Sequence, residues 1–395
     1  MVEIVLAGGA RTPFGDFGKS LRDVPLQTLG IHAVKASIDR AGIKAADVDN
    51  LVFGNVTPVD PEAAIVSRVI AVRSGLPVES GAMGVNRGCA SGLQAITTAA
   101  ENIAAGESKI GIAAGGENFS RIPYVARTMR WGDTKGHVAL EDGADVVYRC
   151  GFSGELMGST AENVAEKYGY TREEMDEWGL MSQRRAQAAI ESGFLGQQVV
   201  PIEVPDRKSP RILERDEFPR FGITAEKLAS LRPVFRREGG RITPGSSSGV
   251  TDGAAAIVVA ERGAAEDLGI KPDARLLGWA VAGVPPEIMG IGPVPATRKL
   301  LDKFGLTVDD IDYFEINEAF AAVNIHAERE LGVSRDKTNL YGGGISIGHP
   351  PGATGLRMTM TAIDHLKATG QRYAVITMCI GGGQGMAGLI ENMAN

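Results

Sequence analysis

Three short stretches carry residues able to do covalent chemistry, each set among glycines. The first is Asn86-Arg87-Gly88-Cys89-Ala90-Ser91-Gly92. Leu93, Ile96, Ala100 and Ile103 then recur at helical spacing and Gly106 supplies a stop, which puts Cys89 at or near the amino end of a helix. Free N–H groups and the helix dipole there favour the thiolate, the nucleophilic form of cysteine. A cysteine taken alone is more often a small inert core residue, so its company decides. The second stretch, residues 342 to 355 (GGGISIGHPPGATG), holds His349 directly before a proline. That neighbour keeps the histidine backbone extended and the imidazole at a loop tip, as a base or as a turn histidine with a local hydrogen bond. The third, Cys379-Ile380-Gly381-Gly382-Gly383-Gln384-Gly385-Met386, follows a strand-like run. It misses the dinucleotide pattern GxGxxG, because the sixth position from Gly381 is Met386. Its glycines still let backbone N–H groups approach a developing oxyanion. Asn317, within DYFEINEAFA, reads either as a helix N-cap or as an amide that fixes a catalytic water. His32, His137, His326 and His365 have no comparable setting and read as structural or surface residues.

The elements that must position these groups are those of an α/β protein. Apolar runs of strand length, such as residues 110–114 and 374–378, alternate with helix-like stretches, which predicts buried, mostly parallel strands. The chain also repeats itself. Residues 42–49 resemble residues 305–312, 263 positions on, and the same spacing carries Cys89–Ala99 onto Gly352–Ala362 with five of eleven positions identical. The strand entering Gly115-Gly116 matches the one ending at Cys379 with at most a one-residue slip. A duplicated fold follows, in which His349 is the counterpart of Asn86, three residues before Cys89. If the pseudo-twofold brings those loops together, an imidazole stands beside the thiol as its base. Residues 119–250 have no such counterpart. They are charged and irregular, as in Arg127–Asp133 and Pro205–Pro210, and read as a loop domain with helices near 160–192 that covers or binds ligand. The expected division is 1–118 with 251–270 as one half, 119–250 as the insert and 271–395 as the other half.

Bulk properties narrow the function classes. With 395 residues and 44% hydrophobic content the chain can bury substantial cores. A net charge of -7 gives no general attraction to nucleic acid or to an anionic membrane. Cys89, Cys150 and Cys379 form no disulfide framework, CxxC pair or metal-ligand spacing, which points to a reducing compartment. Without an apolar run of about 18 residues or a signal-like amino terminus, a cytoplasmic protein with no membrane insertion is expected.

Together these stretches resemble the thiolase family, the acyl-CoA acetyltransferases and 3-ketoacyl-CoA thiolases, over nearly the whole chain. The matching blocks, in the family's order, are residues 86–93 (NRGCASGL), 157–163 (MGSTAEN), 231–235 (LRPVF), 251–255 (TDGAA), 289–295 (MGIGPVP), 317–321 (NEAFA), 348–352 (GHPPG) and 379–385 (CIGGGQG). The resemblance implies a duplicated α/β fold of two five-stranded mixed sheets in a layered αβαβα arrangement, with an inserted loop domain. It implies reversible condensation of acetyl-CoA with an acyl-CoA, or thiolysis of a 3-ketoacyl-CoA by CoA, through an acyl-cysteine. Carried over, Cys89 is the nucleophile, and His349 deprotonates it and helps bind a thioester oxygen. Cys379 moves the proton on the acetyl-CoA alpha carbon, and Asn317 holds a water in the same oxyanion site. The N–H groups of Cys89 and Gly381 form a second such site, while Arg220 and Ser248 match positions that contact CoA. No metal or permanently bound cofactor is implied. CoA, acetyl-CoA and acyl-CoA are substrates, and a homodimer or homotetramer in fatty acid metabolism is expected.

Three departures bear on substrate. Leu156 stands where short-chain biosynthetic members commonly carry histidine, and Gly88 and Pro351 each replace a common leucine. Gly88 is thus expected to enlarge or loosen the acyl pocket. A ketoacyl synthase would resemble a Cys-His-His or Cys-His-Asn site, and a hydroxymethylglutaryl-CoA synthase would need glutamate at Cys379. A non-catalytic acyl-CoA-binding or lipid-binding protein on this scaffold is disfavoured by the intact Cys89, His349 and Cys379.

Overall fold

A computed structural model describes residues 2–57, 59–132, 135–206 and 209–393. Asp133 and the Arg207-Lys208 pair of the two charged stretches lie outside the described residues. The first half contributes β1 (Ile4–Arg11), β2 (Asn50–Gly54), β3 (Gly81–Val85), β4 (Ile110–Glu117) and β5 (Thr251–Glu261), in the spatial order β3-β2-β4-β5-β1. β3, β2 and β4 run parallel, whereas β5 and β1 are antiparallel to their neighbours. Every residue of β4 and nearly all of β5 are buried on both faces, which is why these strands read as continuous apolar runs. Helix α1 (Leu26–Ala41) covers the outer face and ends on Gly42 at φ 73°, while α2 (Ser91–Ala104) covers the inner face.

The insert supplies α3 (Met157–Tyr168) and α4 (Arg172–Glu191), the latter started by a capping box between Thr171 and Glu174. These helices occupy the span expected near 160–192.

The second half repeats the first. β6 (Ala274–Gly283), β7 (Tyr313–Ile316), β8 (Tyr373–Ile380) and β9 (Gln384–Asn392) lie in the order β7-β8-β9-β6. The starts of β2 and β7, like those of β4 and β8, are 263 positions apart, the spacing of the sequence repeat. Helices α5 (Pro293–Phe304) and α6 (Ala321–Leu331) lie outside, and α7 (Pro351–Thr369) packs inside against α2 in a core shared by both sheets. The layers are therefore outer helices, sheet, α2 with α7, sheet, outer helices.

Two features differ from expectation. The two sheets are joined edge to edge, because β1 pairs antiparallel with β6 from Ile4–Leu276 to Leu6–Ala274. Antiparallel pairs also outnumber parallel ones, since β8 turns straight into β9 and a short turn can link only antiparallel strands. The second half has one bridge, Phe314–Thr338, where the first half has β3. Asn339, at φ 47°, takes the chain out of extended conformation there, and the segment leads instead to the helical turn Gly344–Ile347 before His349.

The halves meet backbone to backbone. A Cβ on Gly92 would lie 2.6 Å from the Gly352 carbonyl oxygen, one on Gly355 2.2 Å from Leu93 N, and one on Gly115 2.1 Å from Gly352 O. Only glycine allows this approach, which juxtaposes the first turns of α2 and α7. Gly115→Ala is therefore expected to destabilise the protein by about 3 kcal/mol, the upper part of the usual overpacking range. A denaturant midpoint equal to that of the unmodified protein would show that the halves are not packed this closely. Among the described residues no helix is long and apolar enough to cross a membrane, and no cluster of three His, Cys, Asp or Glu side chains is arranged to hold a metal ion.

Candidate active site

Cys89 lies two residues before α2, in a turn built by its neighbours. Gly88 adopts φ 51° and donates its N–H to Asn86 Oδ1 at 2.9 Å, while the Ser91 hydroxyl donates to Gly88 O at 2.7 Å. The first N–H groups of α2 receive no side-chain cap. Cys89 remains partly exposed, and the backbone N–H groups of Gly381 and of Cys89 itself favour its ionised sulfur. Burial nevertheless pushes the thiol above its ordinary range, and Glu117 adds to that. The helix end was expected to favour the thiolate. Desolvation outweighs the backbone donors, so the resting group is a thiol and needs a base.

Gly88 is required by the turn as much as by any pocket. Its left-handed φ suits glycine, and a Cβ there would meet Ile380 Cγ2 at 3.1 Å.

His349 is 6% exposed and follows Gly348, where φ is 109° and a Cβ would strike Thr251 at 2.5 Å. Its own N–H reaches Gly249 O at 3.0 Å. Nδ1 lies 2.6 Å from Thr354 Oγ1, whose hydroxyl donates to Pro350 O at 2.9 Å. Thr354 has one proton, already committed, so it accepts from Nδ1–H and the lone pair resides on Nε2. Burial, and then the charge of Arg357, lower the imidazole pKa to about 3, leaving it neutral near pH 7. The local hydrogen bond foreseen for a turn histidine is present, on Nδ1, so that Nε2 carries the lone pair.

Asn317 follows β7 and places Nδ2 3.3 Å from His349 Nε2. It is not an N-cap. Helix α6 begins only at Ala321, with Phe320 before it, because Glu318-Ala319-Phe320 is drawn away by Ser246, Ser247 and Ser248. Among the described residues the buried Asn317 Oδ1 has no hydrogen-bond partner, so the amide retains an acceptor for a bound molecule.

Cys379 is the last residue but one of β8, fully buried, and burial followed by the proximity of Cys89 raises its thiol well above the ordinary range. It is a protonated acid at neutral pH. Gly381 opens the turn into β9, and a Cβ there would approach Met157 Sδ at 3.0 Å. Gly382 and Gly383, both at φ 87°, complete that turn.

Ser248 donates its N–H to Ala319 O at 2.9 Å, and the next residue, Gly249, bonds Gly344 and His349, so Ser248 adjoins the loops bearing Asn317 and His349. Arg220 is peripheral. Its guanidinium covers Phe218 at 5.1 Å and lies 3.5 Å from Asp16, and its backbone N–H reaches Gln183.

Two buried carboxylates escaped the sequence reading. Glu318 accepts from Trp178 Nε1 (3.1 Å), Ser182 Oγ (2.6 Å), Asn339 Nδ2 (3.1 Å) and Ile345 N (3.2 Å), tying α4 to the segments around Asn317 and His349. Its signal was an acidic residue directly after Asn317 in an otherwise apolar run. Glu117 accepts from Val56 N, Thr57 N and Asn55 Nδ2, holding the segment that follows β2 to the end of β4, and burial raises its pKa to about 7. Its signal was a lone carboxylate at the carboxyl end of an apolar strand.

The arrangement combines a thiol near the start of a helix, a neutral imidazole whose Nε2 carries the lone pair beside an amide N–H, a second protonated thiol and an amide oxygen without a partner among the described residues. Known proteins with similar chains are consistent among themselves. Residues 4–263 match the thiolase N-terminal domain and residues 270–392 the thiolase C-terminal domain. The beta-ketothiolase BktB of Cupriavidus necator is 44% identical over 391 residues, covering 99% of each chain. The acetyl-CoA acetyltransferase of Escherichia coli is 42% identical over 402 residues, covering 100% of each. The crystal structure of human mitochondrial 3-ketoacyl-CoA thiolase in complex with CoA has a TM-score of 0.96 and 38% identity, covering 99% of this chain and 98% of the other.

Proposed function

The chain belongs to the thiolase family and is an acyltransferase with thiolase activity, and from that premise we propose that Cys89, His349, Cys379, Asn317 and Gly381 carry the reaction. The observation that supports this most is the close approach of Gly92 and Gly115 to Gly352, which sets the start of the Cys89 helix against the start of the helix that follows His349.

In thiolysis, the Cys89 proton passes to His349 Nε2 and the sulfur attacks the 3-keto carbon. The oxyanion forms between the N–H groups of Cys89 and Gly381. Collapse breaks the C2–C3 bond, leaving its electron pair on acetyl-CoA, where C2 takes the Cys379 proton. During that step the enolate oxygen faces protonated His349 Nε2 and a water held by Asn317. The His349 proton then returns to the Cys379 thiolate. CoA next gives its thiol proton to His349, attacks the acyl carbon and expels Cys89, which recovers the proton. Condensation is the reverse. The acyl-cysteine divides one difficult encounter into two easier ones.

CoA, acetyl-CoA and acyl-CoA are the substrates, with no permanent cofactor or metal required. We place CoA on the insert 119–250 with contacts from Arg220 and Ser248, between the halves formed by 1–118 with 251–270 and by 271–395. A cytoplasmic homodimer or homotetramer in fatty acid metabolism completes the reading. Its support is the edge strand β3, largely exposed along its length, which a second copy would cover. Brief incubation with acetyl-CoA, acid quenching and peptide mass analysis is expected to find one acetyl group on the peptide containing Cys89. A folded protein that shows no such adduct, or carries it elsewhere, overturns the assignment.

A further inference from the structure

The strand that leads to Asn317 and the helix that follows His349 face each other across a polar seam. Alternation along extended chain puts Tyr313, Glu315 and Asn317 on one face, and helical spacing puts Thr354, Arg357 and His365 on one face of α7. The two rows meet pair by pair. Asn317 Nδ2 lies 3.3 Å from Nε2 of His349, whose Nδ1 is held by Thr354. Glu315 Oε2 accepts from Arg357 Nη1 at 2.7 Å. At the far end the Tyr313 ring stacks on His365 with centroids 4.2 Å apart, and its hydroxyl donates to Glu315 Oε1. The middle pair is the costly one. Glu315 and Arg357 are each 1% exposed, and among the described residues Arg357 Nε and Nη2 have no hydrogen-bond partner. Taking two charges out of water offsets what a single contact between them returns, so an apolar pair of similar volume would hold strand to helix about as firmly. What a charged hydrogen bond adds is a set distance and direction between the two elements. The Arg357 charge also reaches the imidazole, where, after burial, it is the second cause that keeps His349 neutral.

Resting on the thiolase reading above, we propose that Glu315 and Arg357 are a positioning pair for the carbon–carbon step, setting the Asn317 amide against His349 Nε2, the two groups that serve the enolate oxygen. The tie lies two residues before Asn317 on the strand and three residues after Thr354 on the helix, so it fixes both partners from behind. Both residues act through Asn317 and His349. Acyl transfer between CoA and Cys89 forms its oxyanion between the Cys89 and Gly381 N–H groups instead, so that half-reaction does not depend on the spacing. A displacement of about 1 Å at the enolate site is enough to slow the carbon–carbon step about a hundredfold.

The test compares two rates in each variant. One is thiolysis, which breaks the carbon–carbon bond, with the better cleaved of the 3-ketoacyl-CoA substrates of about four and about eight carbons. The other is exchange of an acetyl group between acetyl-CoA and labelled CoA, which needs Cys89 and His349 alone. Glu315→Leu combined with Arg357→Met replaces the pair by apolar side chains and leaves no buried charge unpaired. In that double variant thiolysis is expected to fall about a hundredfold and exchange by no more than about fivefold. Glu315→Gln keeps an acceptor for Arg357 Nη1 and should hold the thiolysis-to-exchange ratio within about threefold of the unmodified protein. If the double variant does not fold, Arg357→Lys serves. It keeps a charge beside Glu315 without the planar fork, and its ratio should fall about tenfold. An unchanged ratio in the folded double variant, or in Arg357→Lys where that variant stands in for it, overturns the proposal. So does a fall of thiolysis and exchange in step, which would leave the pair a stability element. Acetylation of Cys89 by acetyl-CoA is measured in parallel. Its absence in the unmodified protein defeats the thiolase site assignment, whereas its presence with an unchanged ratio defeats only the role of the pair.

Discussion

Cys89→Ala is expected to lose thiolysis and condensation together, by roughly 10⁴-fold or more, and to take up no acetyl group from acetyl-CoA. Both directions pass through the same acyl-sulfur bond, so no route survives that merely bypasses a proton transfer. The substitution removes one atom from a partly exposed side chain whose fold contacts are made by its backbone and by Gly88 and Ser91, so the protein should remain folded. Steady-state thiolysis, the reverse condensation and circular dichroism on the same preparation check this. Retention of more than about a hundredth of either activity would move the nucleophile elsewhere.

Cys379→Ala should separate the two half-reactions. Carbon–carbon cleavage and formation are expected to fall about 10³-fold or more, within the range for loss of a positioned acid-base group. Exchange of an acetyl group between labelled CoA and Cys89 should continue, because that exchange needs only Cys89 and His349. The raised thiol of Cys379 is the physical basis. A group that holds its proton well above neutral pH is suited to deliver it to a carbanion and, once ionised beside a charged neighbour, to recover it. Loss of exchange in step with cleavage would mean that Cys379 acts on the nucleophile instead. Unimpaired cleavage would remove it from the proton transfer.

Much of the fold was legible because a duplication leaves a spacing. The 263-residue offset recurs in the strands, and it paired Cys89 with the start of α7 before any contact was known. Less legible was whatever depends on who lies opposite. Continuous apolar strands look alike whether their neighbours run parallel or antiparallel, and the mixed order here follows from the short turn at Gly381–Gly383. Asn317 looked as much like a cap as a water-holding amide, since both need a small polar side chain after a strand. The start of α6 at Ala321 removes the cap. The helix end near Cys89 was read correctly as a position but not for its net effect on the thiol, because desolvation depends on atoms from both halves.

The amino-acid sequence by itself determined the types of reacting group, their glycine surroundings and the repeated frame that holds them, because covalent chemistry and backbone freedom belong to single residues and short spans. The tertiary structure alone decided how those groups are set. Glu318 collects donors from Trp178, 140 positions away, and Thr354 uses its one proton on Pro350 and so leaves the His349 lone pair on Nε2. Protonation state and orientation are properties of a surrounding shell, and that shell exists only once distant segments are packed against one another.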